Sequence, residues 1–175
     1  MNEVIVASAV RTAIGDFGGA LKDVPPCDLG ATVIRAALER AGVSGDEIGH
    51  VAVGHVINTE PRDMYLSRVA AMNAGIAKET PAFNVNRLCG SGLQAIVSAA
   101  QTILLGDAEI AIGAGAESMS RAPYIAPAQR WGARMGDSVM LDMMTGALSD
   151  PFGRMHMGVT CLLYTSDAAD DSLRV

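Results

Sequence analysis

The sequence predicts an α/β protein in which a largely parallel sheet is covered by helices. Two observations support this prediction. Apolar, strand-like runs alternate with helical stretches as far as Gly115, an order typical of parallel sheets with crossover helices. Of the 175 residues, 50% are hydrophobic, 18% are charged and only 4% are aromatic, which indicates a core packed from aliphatic side chains.

Composition also restricts the partners and the compartment. The formal net charge of −6 argues against nucleic acid as a partner, because phosphate binding needs a basic surface. The three cysteines, Cys27, Cys89 and Cys161, are odd in number and far apart, so they predict no disulfide framework. No signal segment is visible ahead of the apolar residues 4–6, and we expect a cytoplasmic protein.

The first elements follow from apolar runs and helix-end signals. Residues 3–10 are β-branched and apolar, which predicts a buried first strand. The glycine-rich residues 11–19 lack the spacing of a dinucleotide fingerprint and are interpreted as a structural loop. A helix is predicted from an N-cap at Asp28 to Gly42, with an apolar stripe formed by Leu29, Val33, Ala37 and Ala41.

The pattern then predicts a second strand at residues 51–54, a helix over residues 64–74 and a further strand at residues 109–113. His50 and His55 flank the second strand. A lone histidine beside a strand is more often a satisfied structural group than a ligand, so both are interpreted as structural.

A cysteine lies at the centre of the next predicted unit. Residues 82–86 are typical of a short strand, and a helix ending at Gly106 follows, with apolar residues at helical spacing at Leu93, Ile96, Val97, Ala100 and Leu104. Cys89 therefore lies where a strand ends and a helix begins. The glycines on either side of Ser91 allow a tight turn, while free N–H groups and the helix dipole favour a thiolate and an oxyanion there. The pattern predicts a nucleophilic cysteine, and the alternative is a buried structural one.

Residues 88–106 carry no charge, which leaves three interpretations. A membrane span needs a nearly unbroken apolar run, whereas small polar residues interrupt this one. A secretory segment is excluded by its position in the chain. A helix buried on most of its surface fits best, and we expect no membrane association.

After Gly115 the chain becomes rich in Pro, Gly, Arg and Met, which predicts a long excursion from the core that contacts substrate. Its arginines are Arg121, Arg130, Arg134 and Arg154. Each alone is interpreted as ordinary surface charge, although a local basic patch would attract a phosphate-bearing substrate. His156 lies between two methionines, a pattern that suggests an apolar slot with one titratable group.

Four short motifs, in this order, resemble those of the thiolases, the acetyl-CoA C-acyltransferases. They are Val10-Arg11-Thr12, Asn86-Arg87-Leu88-Cys89-Gly90-Ser91-Gly92, Gly115-Ala116-Glu117-Ser118-Met119-Ser120 and His156-Met157-Gly158. The resemblance covers nearly all of residues 3–160. Residues 59–65 and 131–137 are similar to the bacterial β-ketothiolases of broad chain length, which feed polyhydroxyalkanoate synthesis.

The resemblance implies a thiolase-like fold. We expect an incomplete core with a mixed sheet covered by helices at residues 1–117 and part of a loop domain at residues 118–160, with the C-terminal half absent. Residues 161–175 depart from the family and show no periodic apolar face. They are interpreted as a foreign tail, with Cys161 outside the site.

The resemblance also implies the chemistry, a reversible Claisen condensation of acyl-CoA with acetyl-CoA to a 3-oxoacyl-CoA. Cys89 matches the nucleophile that carries the acyl group, and its own N–H supplies half of an oxyanion hole. Leu148, His156 and Met157 match positions that line the pantetheine and acyl tunnel. No metal or prosthetic group is implied, and the complete enzyme is expected to be a homotetramer.

Relatives also use a histidine and a second cysteine as bases, both in the C-terminal half, so this chain is expected to be inactive alone. Two other classes remain open. A ketoacyl synthase also places a cysteine at a helix N-terminus, although the motifs at Glu117-Ser118-Met119-Ser120 and His156-Met157-Gly158 favour a thiolase. A non-catalytic fragment that only associates with a partner is the other.

Overall fold

The structure is a computed structural model that describes the backbone of residues 3–170 and the side chains of residues 3–165. The chain forms two compact units, and the boundary between them lies between Ala122 and Pro123. The division into residues 1–117, 118–160 and 161–175 stays a prediction, because compactness alone does not define the domains of a family.

A three-stranded parallel sheet forms the centre of the first unit. Its strands are β1 (His50–Gly54), β2 (Ala82–Val85) and β3 (Ala111–Gly115), in the spatial order β2-β1-β3. Val51 on the central strand is paired with Ala82 on one side and Ile112 on the other. The α/β architecture with a parallel sheet is therefore as predicted, except that β3 begins two residues later than expected because its pairing starts opposite His50.

Helices α1 (Pro26–Ala41) and α2 (Leu66–Ala74) pack against each other beside the sheet. Helix α1 ends at Gly42 in the left-handed conformation, as predicted. The N-cap prediction was wrong: Pro25 precedes the helix and Asp28 lies inside its first turn, because Pro26 has the fixed φ that favours the first helical position. The buried face is shifted from the predicted stripe and comprises Pro26, Cys27, Gly30, Ala31, Ile34 and Leu38.

The prediction of a buried first strand was also wrong. Residues 3–10 form no strand, and the side chain of Ile5 is 76% exposed. A strand requires a hydrogen-bonded neighbour. Both sides of β1 are taken by β2 and β3, and residues 3–10 pair with no strand in the described part of the chain. Propensity alone therefore does not make this segment a strand.

Helix α3 (Ser91–Leu105) ends at Gly106 in the left-handed conformation, as predicted. The prediction that α3 is buried on most of its surface was wrong. Only the small side chains of Ser91, Ala95 and Ala99 are buried, and the opposite face exposes Leu93, Ile96, Val97, Leu104 and Leu105. The buried face contacts β1 and β3, where a Cβ on Gly113 would lie 2.5 Å from Cα of Ile96.

Residues 88–105 have the length and apolar composition of a membrane span. The apolar side chains on the exposed face of α3 contribute to this composition. The helix nevertheless packs its other face on the sheet, and it carries five Ser, Thr and Gln side chains: Ser91, Gln94, Ser98, Gln101 and Thr102. The absence of membrane association stays a prediction.

The second unit is built from short elements. An antiparallel pair joins β4 (Tyr124–Ile125) to β5 (Leu141–Asp142), and the short helix α4 (Met143–Ala147) follows directly. Asp142 caps α4, since its carboxylate accepts the N–H groups of Met144 and Thr145. Helix α5 (Met157–Asp170) continues through residues 161–170, although the sequence shows no periodic apolar face there. The foreign origin of that segment stays a prediction.

Candidate active site

Cys89 lies in the loop between β2 and α3, on the carboxyl side of the parallel sheet. Its side chain is exposed, and α3 begins two residues later at Ser91. The position is the one that the sequence pattern predicted. In α/β proteins, this edge of the sheet is where ligands bind. The catalytic role of Cys89 stays a prediction.

The tight turn ahead of Cys89 is made by Leu88 and not by the glycines. Leu88 has φ +48°, in the left-handed region that leucine rarely adopts, whereas Gly90 has φ −87°. The flanking glycines are therefore not required for this turn. A Cβ on Gly92 would meet no atom within 4 Å, so the space beside the start of α3 is open.

Ser91 ties this turn together. Its Oγ accepts a hydrogen bond from the N–H of Arg87 at 2.8 Å and donates one to the carbonyl oxygen of Leu88 at 2.6 Å. The N–H of Ser91 donates to the same carbonyl at 2.9 Å. The N–H of Gly90 also donates to the carbonyl oxygen of Arg87 at 3.1 Å, so Cys89 lies inside a short loop that is closed by four hydrogen bonds.

Two further side chains fix the loop from outside. Oδ1 of Asn86 accepts the N–H of Leu88 at 3.0 Å, and its Nδ2 donates to the carbonyl of Val56 beyond the end of β1 at 3.5 Å. Nη1 of Arg87 donates to Oε1 of Gln94 at 2.8 Å, one helical turn into α3. The loop is therefore attached both to the neighbouring strand end and to the helix.

The ends of β1 and β3 touch the start of α3. A Cβ on Gly54 would lie 2.5 Å from the carbonyl carbon of Ser91, and one on Gly115 would lie 3.3 Å from Cα of Gly92. Only glycine permits this close approach at Gly54, because real Cβ atoms do not come so near backbone. The sheet therefore supports the helix N-terminus directly behind Cys89.

A buried polar cluster lies at the same edge of the sheet, and sequence reasoning missed it. His55 follows β1, and its Nδ1 is 2.8 Å from the carbonyl oxygen of Ala116 and 3.5 Å from Oε1 of Glu117. Its Nε2 is buried, lacks a hydrogen-bond partner and lies 4.0 Å from Oδ2 of Asp63. The available signal was topological, since polar residues that follow adjacent parallel strands meet at one edge.

Asp63 is the fully buried acid of this cluster. Its carboxylate accepts hydrogen bonds from the N–H and Oγ1 of Thr59, both at 2.7 Å, from the N–H of Glu60 and from the thiol of Cys27. Burial raises the pKa of the Asp63 carboxyl, but these hydrogen bonds outweigh burial and hold the pKa below its ordinary value. The carboxylate is thus retained as a structural anion.

The segment after β3 is joined to the segment after β1 by charged side chains. The carboxylate of Glu117 accepts the N–H groups of Val56 and Ile57 at 2.8 and 3.1 Å. Nη2 of Arg121 contacts Oε2 of Glu60 at 3.0 Å, so this arginine is not a free cation for phosphate. We interpret the cluster as a set of contacts that orders the segment after β1, which lies beside the Cys89 loop.

The three predicted tunnel residues lie in the second unit and are neighbours there. The N–H of Met157 donates to the carbonyl of Leu148 at 2.8 Å, and Nδ1 of His156 accepts the N–H of Gly158 at 3.1 Å. His156 is exposed, so the apolar slot expected around it is not formed by the described residues. A role for Leu148, His156 and Met157 in lining a substrate tunnel stays a prediction.

No cluster of three or more His, Cys, Asp or Glu side chains among the described residues is arranged to hold a metal ion.

Comparison with known proteins gives consistent matches. The model of the thiolase N-terminal domain family matches residues 4–169, which extends beyond the predicted start of the tail. The beta-ketothiolase BktB of Cupriavidus necator is 73% identical over 158 residues, or 90% of this chain and 40% of the relative. An acetyl-CoA acetyltransferase of the same organism is 45% identical over 161 residues, covering 91% of this chain and 41% of that protein.

Solved structures agree. The acetyl-CoA acetyltransferase of Bacillus anthracis superposes with a TM-score of 0.89 at 36% identity, covering 95% of this chain and 42% of that one. Human mitochondrial 3-ketoacyl-CoA thiolase in complex with CoA gives 0.90 at 37% identity, covering 94% and 42%. The chain thus spans about two fifths of the length of the proteins it matches.

Proposed function

The chain belongs to the thiolase family, and we propose that it supplies the nucleophile of an acyl-CoA C-acyltransferase. The observation that supports this most is the exposed Cys89 on a tied loop between a parallel strand and the first residue of α3. A nucleophile needs access to substrate and a fixed backbone, and Cys89 has both.

The proposed reaction has two steps. The Cys89 thiolate attacks the thioester carbonyl of an acyl-CoA, a new C–S bond forms, and the bond to the CoA sulfur breaks as CoA leaves and takes up a proton. A base then removes a proton from the α-carbon of acetyl-CoA, and the resulting carbanion attacks the acyl group on Cys89. A C–C bond forms, the bond to Sγ breaks, and a 3-oxoacyl-CoA is released. Thiolysis is the reverse.

The Cys89 N–H is proposed as half of an oxyanion hole for the first step. Backbone donors of this kind contribute most when they are fixed before the reaction, and the hydrogen-bonded turn around Cys89 meets that condition. Leu148, His156 and Met157 are proposed to contact the pantetheine or acyl portion of the substrate. No metal or prosthetic group is required, since the thioester itself acidifies the α-carbon.

The bases for both steps are proposed to lie in the remaining three fifths of the protein length that relatives possess. General acid–base catalysis typically contributes about a hundred- to ten-thousandfold per step. Without either base, the 175-residue chain should show no measurable turnover.

We also propose the cytoplasm as the compartment, a homotetramer for the complete enzyme, and a broad acyl-chain range with a role in polyhydroxyalkanoate synthesis. The 73% identity to a beta-ketothiolase supports β-ketothiolase activity, while the chain-length proposal rests on the resemblance of residues 59–65 and 131–137. Light scattering at micromolar protein tests the assembly, and a monomeric mass would contradict it.

A chimera tests the catalytic proposal. Residues 1–160 of this chain would be joined to the remainder of the Cupriavidus necator beta-ketothiolase and assayed for thiolysis of acetoacetyl-CoA. We expect turnover by the chimera and none by the 175-residue chain. Cys89→Ala should abolish both turnover and the acyl-enzyme detected by mass spectrometry. Turnover by the Cys89→Ala chimera would overturn the assignment, and acyl transfer only from an acyl carrier protein would favour a ketoacyl synthase.

A further inference from the structure

We infer that Ser91 is a positioning residue for acyl transfer: its hydroxyl holds the backbone that presents Cys89 to the thioester. This inference rests on the proposed function, because it assigns Ser91 a role only if Cys89 is the nucleophile. The sequence places Ser91 in the motif around Cys89 but indicates no role for its side chain.

The hydrogen bonds of Ser91 enclose Cys89. Oγ accepts a hydrogen bond from the N–H of Arg87 at 2.8 Å and donates one to the carbonyl oxygen of Leu88 at 2.6 Å. Both groups lie ahead of Cys89 in the chain, whereas Ser91 lies behind it. The peptide unit that joins Leu88 to Cys89, and so carries the Cys89 N–H, is thereby fixed to the Ser91 side chain.

The turn needs such a restraint. Leu88 has φ +48°, a conformation that is unfavourable for leucine and persists only where the surroundings hold it. The carbonyl of Leu88 accepts from both the hydroxyl and the N–H of Ser91. Ser91 therefore holds the carbonyl side of Leu88 in the left-handed region, while Asn86 Oδ1 accepts the Leu88 N–H at 3.0 Å.

Ser91 does not act by contacting substrate. Its residue surface is only 4% exposed, and its single hydroxyl proton is already donated to Leu88. Its backbone is also fixed from behind, because Gly54 approaches so closely that a Cβ there would lie 2.5 Å from the carbonyl carbon of Ser91. The Ser91 hydroxyl therefore holds the Cys89 loop in a fixed position relative to the edge of the sheet.

The test uses Ser91→Ala in the chimera, with Ser98→Ala as the matched control. Ser98 lies on the same helix about 10 Å further on, and its Oγ accepts a hydrogen bond from Gln94 Nε2 at 3.3 Å. Small misplacements of a reacting group reduce rates by up to about a hundredfold. We expect Ser91→Ala to lower kcat for acetoacetyl-CoA thiolysis at least tenfold with KM within twofold, and Ser98→Ala to change neither.

A second readout needs no turnover. The rate of iodoacetamide labelling at Cys89, followed by peptide mass mapping in the chimera, should fall at least threefold in Ser91→Ala and stay unchanged in Ser98→Ala. The pair Ser91→Thr and Ser91→Val differs only in the hydroxyl, and kcat of the Thr variant should exceed that of the Val variant at least fivefold.

The outcomes separate the two ideas. If Cys89→Ala stops acyl-enzyme formation but Ser91→Ala keeps its kcat and labelling rate, the inference is overturned and the proposed function stands. If Thr and Val variants are equally active, the hydroxyl has no positioning role. If Ser91→Ala and Ser91→Val fail to fold while Ser98→Ala folds, the hydroxyl serves folding alone and the inference is likewise overturned.

Discussion

The thiol of Cys27 on α1 donates a hydrogen bond to Oδ1 of the buried Asp63 across 3.5 Å. Burial is the main cause that raises the pKa of the Cys27 thiol to about 12, and the neighbouring carboxylate adds to it. Cys27 is fully buried whereas Cys89 is exposed. The chain therefore separates a structural cysteine, held as a thiol, from one that is accessible to reagents.

The first prediction follows from this difference. At pH 8 only roughly one in ten thousand Cys27 side chains is a thiolate, given a pKa of about 12, and the thiolate is the reactive form. We expect iodoacetamide to label Cys89 at least a hundred times faster than Cys27 in the folded chain, as measured by peptide mass mapping over time. Cys161 is exposed and should also be labelled.

Unfolding in urea should abolish the difference between Cys27 and Cys89, which serves as the control. Faster labelling of Cys27 than of Cys89 under native conditions would contradict both the burial of Cys27 and the assignment of Cys89 as nucleophile.

The second prediction concerns Asp63→Asn. The amide keeps the shape of the carboxylate but cannot accept all four hydrogen bonds from Thr59, Glu60 and Cys27. We expect a loss of about 1–3 kcal/mol in the free energy of unfolding at pH 7, measured by urea denaturation of the chimera. Asp107→Asn, at an exposed position after α3, should change it by less than about 0.5 kcal/mol.

The direction of the Asp63 pKa shift determines how its contribution to stability changes with pH. The folded-state pKa of Asp63 lies below its ordinary value of about 3.9, so its charge stabilises the fold above that pH and the contribution is lost as pH falls through the folded pKa. The difference in the free energy of unfolding between wild type and Asp63→Asn should therefore become smaller only below about pH 4. A difference that narrows between pH 5 and 7 instead would contradict this account.

The elements that the sequence predicted well are those fixed by local signals. The αL conformations of Gly42 and Gly106 end α1 and α3 where the glycine pattern placed them. The position of Cys89 between β2 and α3 also follows from local periodicity. These signals act within a few residues, so no knowledge of the rest of the fold is needed to use them.

The elements that were missed depend on long-range partners. Residues 3–10 have the composition of a strand but no pairing neighbour among residues 3–170, and the apolar face of α3 is only partly covered there. The approach of His55 to Asp63 and Glu117 requires knowing that β1 and β3 are adjacent. The left-handed turn at Leu88, beside two glycines, had no sequence signal at all.

The third prediction tests the support behind the Cys89 loop. A Cβ on Gly54 would lie 2.5 Å from the carbonyl carbon of Ser91, and backbone there cannot move without displacing α3. We expect Gly54→Ala to lower the free energy of unfolding of the chimera by about 1–3 kcal/mol or more. It should also lower kcat, because the strain falls on the helix that carries Ser91.

Gly146→Ala is the control for this substitution, since a Cβ at Gly146 in α4 meets nothing within 4 Å. Alanine favours a helix over glycine by up to about 1 kcal/mol, so this variant should be neutral or slightly more stable. Equal stability of the two alanine variants would show that β1 and α3 are further apart than the structure indicates.

The last prediction concerns the apolar face of α3 in the 175-residue chain. Leu93 and Leu105 are 69% and 77% exposed, and Ile96, Val97 and Leu104 continue the same unpaired surface. Exposed apolar patches of this kind promote association. We expect the purified chain to bind an apolar dye and to scatter light as aggregates at micromolar concentration.

The double variant Leu93→Lys, Leu105→Lys should reduce both signals, because two charges interrupt the face without touching the buried Ala95 and Ala99. The double variant Glu39→Gln, Asp107→Asn changes two exposed acidic positions and raises the formal net charge from −6 to −4, as the lysine pair does, so it controls for net charge alone and should reduce the signals less. Equal improvement by the two double variants would mean that the change in net charge, and not the loss of apolar surface on α3, governs the association.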